Sequence, residues 1–440
     1  MRSILHRRFT TPIVLAAIAG LTLAGCSGGP GSTTSDAGAE GDGTVTMYGT
    51  IADFEAEQLE ESWAQWEEEN NIDIVYEASR EFEAQISIRA QGGNAPDIAL
   101  FPQPGLFADL ASRGFLKPAP AAVEDNVDEF WSEDWKAYGT VEDVFYGAPL
   151  KANLKGFVWY SPAQFEEWGV EVPETYGELL DLTATIQETT GSAPWCAGFS
   201  SGDATGWPGT DWVEDLVLRQ AGPEVYDQWV ANEVPFTDPQ IADAFDAVGE
   251  ILLNPDYVNA TFGDVRSINS TVFGDVADPL AAGTCALHHQ ASFFDGFLVD
   301  AGAEVGPDGD VWAFMTPPID TDDGQRVTGG GEIVGAFADD ADTQAVLEYI
   351  SGAEWANNLV SIGGGLSANS GVDPENVDSP ILQESIRILQ DPDTTFRFDA
   401  SDLMPGAVGS GTFWKGIVDW INGTPTDQVL TGIEAGWPSS

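Results

Sequence analysis

Trp207, Asp211 and Trp212 place two indoles and a carboxylate within six residues, in Ala204-Thr205-Gly206-Trp207-Pro208-Gly209-Thr210-Asp211-Trp212. An indole face covers flat apolar surface, and a carboxylate accepts two hydrogen bonds side by side. Such a cluster can hold a small ligand that has both an apolar face and a polar rim. Trp207, between Gly206 and Pro208, reads as a cleft wall. Trp212 either shares that wall or packs in a core. Asp211 either binds or caps a helix beginning near Trp212. Glu332 lies in Thr328-Gly329-Gly330-Gly331-Glu332, where bare backbone permits close approach to a ligand, although a turn-stabilising carboxylate would look the same. Arg397 and Asp399 stand two positions apart, and are read as a fork for hydroxyl groups in preference to a structural ion pair.

The elements that must position these groups begin with a strand at 44–48. A helix follows, with Leu59, Trp63 and Trp66 on one face, then a strand at 72–76. A second helix at 83–90 stops at Gly92-Gly93, and a third strand at 97–101 runs into Pro102-Gln103-Pro104-Gly105. This β-α-β-α-β opening predicts a parallel sheet whose ligand edge lies at the strand C-termini. Glu81 and Gln103 follow the second and third strands and belong to that edge; Glu81 could equally be a solvated charge. Further on, 151–160 reads as one extended run. Helices are expected at 174–188, 211–221, 239–253 and 343–351, and strands at 311–314 and 333–337. The last 75 residues read as mostly helical.

The N-terminus sets the compartment. Arg2, Arg7 and Arg8 precede a short apolar run from Pro12 to Leu23, which ends in Leu23-Ala24-Gly25-Cys26. That is a signal peptide (1–25) closing in a lipobox, with Cys26 the lipidation site and 26–43 a Gly/Ser-rich tether. The expected location is the extracytoplasmic face of a bacterial cell membrane. The leader carries three of the 16 basic residues and no acidic ones, so its removal takes the net charge from −56 to −59. Such a chain repels nucleic acid and anionic lipid, and its carboxylates read first as a solvating surface. Cys196 and Cys285 are the remaining thiols, either bridged or separately buried. With His6 in the leader, His288 and His289 are too few to suggest a transition-metal site, and no cofactor is expected.

The chain resembles the solute-binding lipoproteins of carbohydrate ABC importers (extracellular solute-binding protein family 1), and among them the alpha-glucoside-type binding proteins. Four stretches carry the resemblance: Pro96 to Gly105, Ala204 to Trp212, His289-Gln290-Ala291-Ser292-Phe293, and Phe396 to Ala407. The resemblance implies an α/β, two-lobed periplasmic-binding-protein-like fold, with hinge-linked lobes, central mixed sheets and a sugar in the cleft. Lobe I would be 44–152 with 322–364, and lobe II 153–321 with 365–440. The chain would cross near 149–154, 318–327 and 363–368. Lys151 and Asn153, on the first crossing, would face the sugar, although Lys151 could instead neutralise a carboxylate across the hinge. Gln290 and Phe293 match a segment from which a maltose-binding protein presents an aromatic, with Gln290 standing where Trp would be expected. Trp414 matches another stacking position. Cys196 and Cys285 have counterparts whose bridge would lie within lobe II. The implied protein is a monomer that delivers an α-linked di- or oligosaccharide to permease subunits and performs no chemistry. A carboxylate-dependent glycosidase is the alternative; Asp211, Glu81 and Glu332 could supply its acid pair, but no hydrolase motif accompanies them.

Overall fold

Val45 and Met47 turn the same way from β1 (Thr44–Gly49) into the core, as a strand of period two requires. In α1 (Phe54–Asn70), Leu59 and Trp63 are buried, and Trp66 is half-buried and stacked on Tyr349. This computed structural model describes residues 41–320, 324–391 and 393–438. The leader, Cys26 and most of the expected tether lie outside the described residues. Among those described, no helix is long and apolar enough to cross a membrane.

β2 (Asp73–Ala78), α2 (Phe82–Gly92), β3 (Ile98–Phe101) and α3 (Pro104–Ser112) complete the opening unit. β1 pairs in parallel with both β2 and β3, as its β-α-β pattern predicts. The run expected at 151–160 is two strands, β4 (Gly147–Leu154) and β5 (Phe157–Tyr160). The break falls at Gly156, whose φ is +82°, and a Cβ there would stand 2.8 Å from an Asp215 carboxylate oxygen. Only glycine fits this corner.

β6 (Trp195–Cys196), α4 (Trp207–Ala221), β7 (Val258–Asn259), β8 (Leu287–Gln290) and β9 (Trp312–Met315) follow. β10 (Arg326–Ala336), β11 (Thr395–Phe398) and α5 (Ala400–Leu403) complete the framework. The first sheet runs β11-β10-β3-β1-β2, with β4 also paired to β10; the second runs β9-β5-β8-β6-β7. Both mix parallel and antiparallel pairs. Ala152 of β4 bridges to Leu366, so three separated segments meet beside the cleft.

Two expectations change here. The glycine run does not precede a strand; it forms the middle of β10, with Gly329, Gly330 and Gly331 opposite Leu154, Asn153 and Ala152. The close approach that glycine permits is chiefly to β4, because a Cβ on Gly331 would collide with the Lys151 carbonyl. The register shifts between Gly331 and Ile333, leaving Glu332 at an irregularity of the kind that re-aims a side chain. Secondly, 365–440 is divided: β11 extends the first sheet, whereas Ala400, Met404, Phe413 and Trp420 join the apolar core around Trp195 and Phe199.

Cys196 and Cys285 are bridged, closing a sequence separation of 89 residues. By chain entropy such a link contributes about 4–5 kcal/mol.

Candidate ligand-binding cleft

α4 begins at Trp207, earlier than the expected 211, because Pro208 suits a first turn where its missing N–H leaves no bond unmade. Gly206 precedes it at φ +116°, packed so closely that a Cβ would meet the Trp414 carbonyl. That contact brings Trp207 and Trp414 to one wall of a cleft enclosing about 940 Å³, part of it open to solvent. Phe273 and Phe293 complete the aromatic wall, with ring centroids 5.2 and 6.1 Å from Trp207. Trp207 and Phe293 are only half-buried, so their rings keep surface to offer a ligand; Trp414 is held by a 3.3 Å hydrogen bond from Nε1 to Ser401 Oγ.

The opposing wall is polar. Gln103 follows β3, Lys151 and Asn153 lie on β4, and Glu332 lies on β10; all four line the cleft. Four buried acceptor atoms there have no hydrogen-bond partner: Glu83 Oε2, Gln103 Oε1, Asn153 Oδ1 and Glu332 Oε2. The cations are already engaged. Lys151 Nζ lies 3.6 Å from Glu55 Oε1, and Arg80 Nη2 lies 2.6 Å from Asp53 Oδ2. Lys155 Nζ donates to Asp399 and, at 2.8 Å, to Asp211 Oδ1, and sits 5.6 Å from the Trp207 ring centroid. Asp211, Glu214 and Asp399 approach closely enough to suggest a cation. Lys155 supplies that charge, and Glu214 accepts the Ala400 and Ser401 N–H groups.

Three cleft carboxyls are displaced upward. Burial pushes Glu83 to about 7, opposed by its hydrogen bond from Gln103. Burial does the same to Glu332, also to about 7, against the pull of Lys151. Asp402 reaches about 7 by burial, against the attraction of Lys155. At neutral pH such carboxyls can donate as well as accept, which suits a ligand whose hydroxyls do both.

Gln103, Lys151, Asn153, Trp207, Phe293, Glu332, Asp399 and Trp414 thus come together as cleft lining. Five others do not line it. Trp212 is buried edge-on against Trp195 with the His289 ring 4.4 Å away, because its position on α4 faces the second sheet. Asp211 lies inside α4 rather than at its cap, and is spent on Lys155. Gln290 is buried in β8 and turns its Oε1 to the Ala291 N–H. Glu81 is exposed beside Asp203; the first turn of α2 presents Glu83 to the cleft in its place. Arg397 forms a bidentate pair with Asp227, at 2.6 and 2.9 Å, and no fork with Asp399. Two positions along a strand share a face, but the chain turns into α5 at Asp399, which breaks that alignment.

Glu83, Lys155, Phe273 and Asp402 went unread in the sequence. For Lys155 a signal exists, as a second lysine four positions after Lys151 in a chain with few basic residues. His288 is structural: its Nδ1 is 2.8 Å from the Cys196 carbonyl, and burial lowers its pKa to about 3.

Two α/β lobes closing on a cleft with one aromatic and one polar wall define a class of ligand-binding proteins. The chain belongs to the bacterial extracellular solute-binding protein family, whose model matches residues 52–358. That family comprises binders, not enzymes, which removes the glycosidase alternative. The chain is 37% identical to the osmoprotective compounds-binding protein GgtB of Synechocystis sp., over 90% of this chain and 92% of that one. It is 36% identical to the alpha-glucosides-binding periplasmic protein AglE of Rhizobium meliloti, over 90% and 87%. In fold it is similar to the bacterial solute receptor AcbH, with a TM-score of 0.75, 20% identity, and 90% and 98% of the two chains covered.

Proposed function

We propose that this protein is the solute-binding lipoprotein of an ABC importer. It captures an α-linked di- or oligosaccharide, such as trehalose, maltose or sucrose, and delivers it to permease subunits. The observation that carries this is the pairing of half-buried Trp207 and Phe293 with four unpartnered acceptors across the cleft. Rings cover the C–H face of a pyranose while the acceptors take its hydroxyl protons. Gln103, Asn153, Glu332 and Trp414 share in the contact, and Glu83 and Asp402 join them. Lys151, Lys155 and Asp399 brace the walls. The name of AglE, an alpha-glucosides-binding protein, supports this ligand class, and that of GgtB refers to osmoprotective compounds. We assign 1–25 as the cleaved leader and Cys26 as the lipid anchor that holds a monomer at the outer face of the cell membrane.

Isothermal titration calorimetry of the mature chain, with Cys26 replaced, against trehalose, maltose, sucrose, maltotriose and glucose tests this reading. Micromolar or tighter binding of one α-glucoside, with no glucose released, is expected. Absence of heat with all five would refute the α-glucoside assignment.

A further inference from the structure

The Gln103 side chain stands between two carboxyls that belong to different lobes. Its Nε2 donates to Glu83 Oε1 at 3.2 Å, and Asp402 shares the same stretch of cleft lining, near enough for Gln103 and Glu83 both to act on it. Glu83 lies on α2, whose Phe82 and Ile86 pack with the first sheet; Asp402 lies on α5, whose Ala400 packs in the second core. The lobes are in contact here and at the cleft mouth. A Cβ on Gly105 would strike the Met404 carbonyl, and the Phe54 and Phe297 rings meet at 5.1 Å.

The charges around this junction do not balance it. Glu83 is faced by Glu81 and Asp203, both acidic. Asp402 is faced by Asp211, Glu83 and Lys155, and Lys155 is committed to Asp211 and Asp399. Lys151 and Arg80, the other cations lining the cleft, lie against Glu55 and Asp53. Two ionised carboxylates would therefore repel each other across the interface without a cation of their own, in a region of low dielectric. Meanwhile Gln103 Oε1 is buried and lacks a donor. A protonated carboxyl removes one negative charge and supplies an O–H for that acceptor.

We propose that closing the cleft takes up one proton from solvent, held between Glu83 and Asp402 across the Gln103 amide, so that ligand capture is proton-linked. One carboxylate oxygen gains the proton on closure and returns it to water when the lobes part. Solute release is then favoured at alkaline pH and capture at mildly acidic pH. The displacement of both carboxyls to about 7 by burial agrees with this. The ligand part of the inference rests on the sugar-binding reading; the lobe-closure part does not.

The experiment has two arms. In the first, the sugar that binds in the calorimetric panel is titrated at pH 6 in phosphate and in histidine, whose ionisation enthalpies differ. Wild type is expected to show a buffer-dependent heat approaching one proton per sugar, and affinity falling up to about tenfold per pH unit between the ordinary carboxylate range and about 7, then levelling off above it. Glu83→Gln and Asp402→Asn are each expected to reduce that dependence. Binding with no buffer-dependent heat overturns the proton linkage and leaves the sugar reading intact. The second arm uses no ligand. Ile88→Cys and Phe262→Cys, both at exposed positions, carry spin labels in a chain without Cys26, the native pair being bridged. The label distance is expected to lengthen between pH 6 and 8.5 in the wild-type background, and to change little in the Glu83→Gln, Asp402→Asn double variant. A distance that ignores pH in the wild-type background overturns the proposal, whether or not any sugar binds.

Discussion

Replacing Lys155 with Met removes a cation that serves two buried carboxylates. The Asp211 and Asp399 side chains are 3% and 2% exposed, and Lys155 Nζ bonds to both. Met keeps most of the apolar stem, so lost packing is a small part of the effect. What remains is two acids in a dry interior, and breaking such a pair costs about 3–5 kcal/mol. For a chain of this size that lowers Tm by about 4–6 °C. The sign of the pH dependence follows from Asp211, whose pKa burial already raises and Lys155 lowers. Without Lys155 it rises further, so the folded state binds more protons than the unfolded one above the unfolded carboxylate pKa. The penalty must therefore grow as pH rises and shrink toward pH 5. Urea unfolding at pH 5 and pH 8, with midpoints compared at equal slope, measures this. A loss under about 1 kcal/mol at pH 8, or an equal loss at both pH values, would refute the argument. Adding Asp211→Asn and Asp399→Asn should restore part of the stability.

Trp207→Ala should weaken sugar binding about thirtyfold, corresponding to about 2 kcal/mol for truncating an aromatic anchor, with little change in Tm because the ring is half-buried; calorimetry alongside a melt checks both. Arg397→Ala should leave the dissociation constant within about threefold, since its guanidinium is spent on Asp227; a tenfold loss would return Arg397 to the binding site. Reducing the Cys196–Cys285 bridge should cost about 4–5 kcal/mol, read as a shift in the urea midpoint. An unchanged midpoint after confirmed reduction would show that the link does not constrain the unfolded chain.

The opening β-α-β-α-β unit could be read because its hydrophobic period is local: Val45 and Met47, then Leu59 and Trp63, announce their faces within a few residues. Gln103 was legible for the same reason, since a strand C-terminus followed by Pro-Gln-Pro defines an edge. Trp207 was legible from its Gly-Trp-Pro setting. Lys155 is marked only as a scarce second lysine, and its role was not legible, because its partners lie 56 and 244 residues away. Glu83 and Glu81 both border the start of α2, and the chain alone does not say which turns inward. Arg397 and Asp399 looked paired because they are neighbours, whereas Asp227, 170 residues distant, takes the arginine.

The sequence by itself determined the acidic character, the parallel opening sheet and the aromatic supply, all properties of composition or of contacts within a turn or two. Tertiary structure alone decided which carboxylates enter the cleft, which cations answer them, and which tryptophans keep a ring surface for ligand. Those choices depend on desolvation and on the meeting of two lobes, and both are set by residues that the chain order keeps far apart.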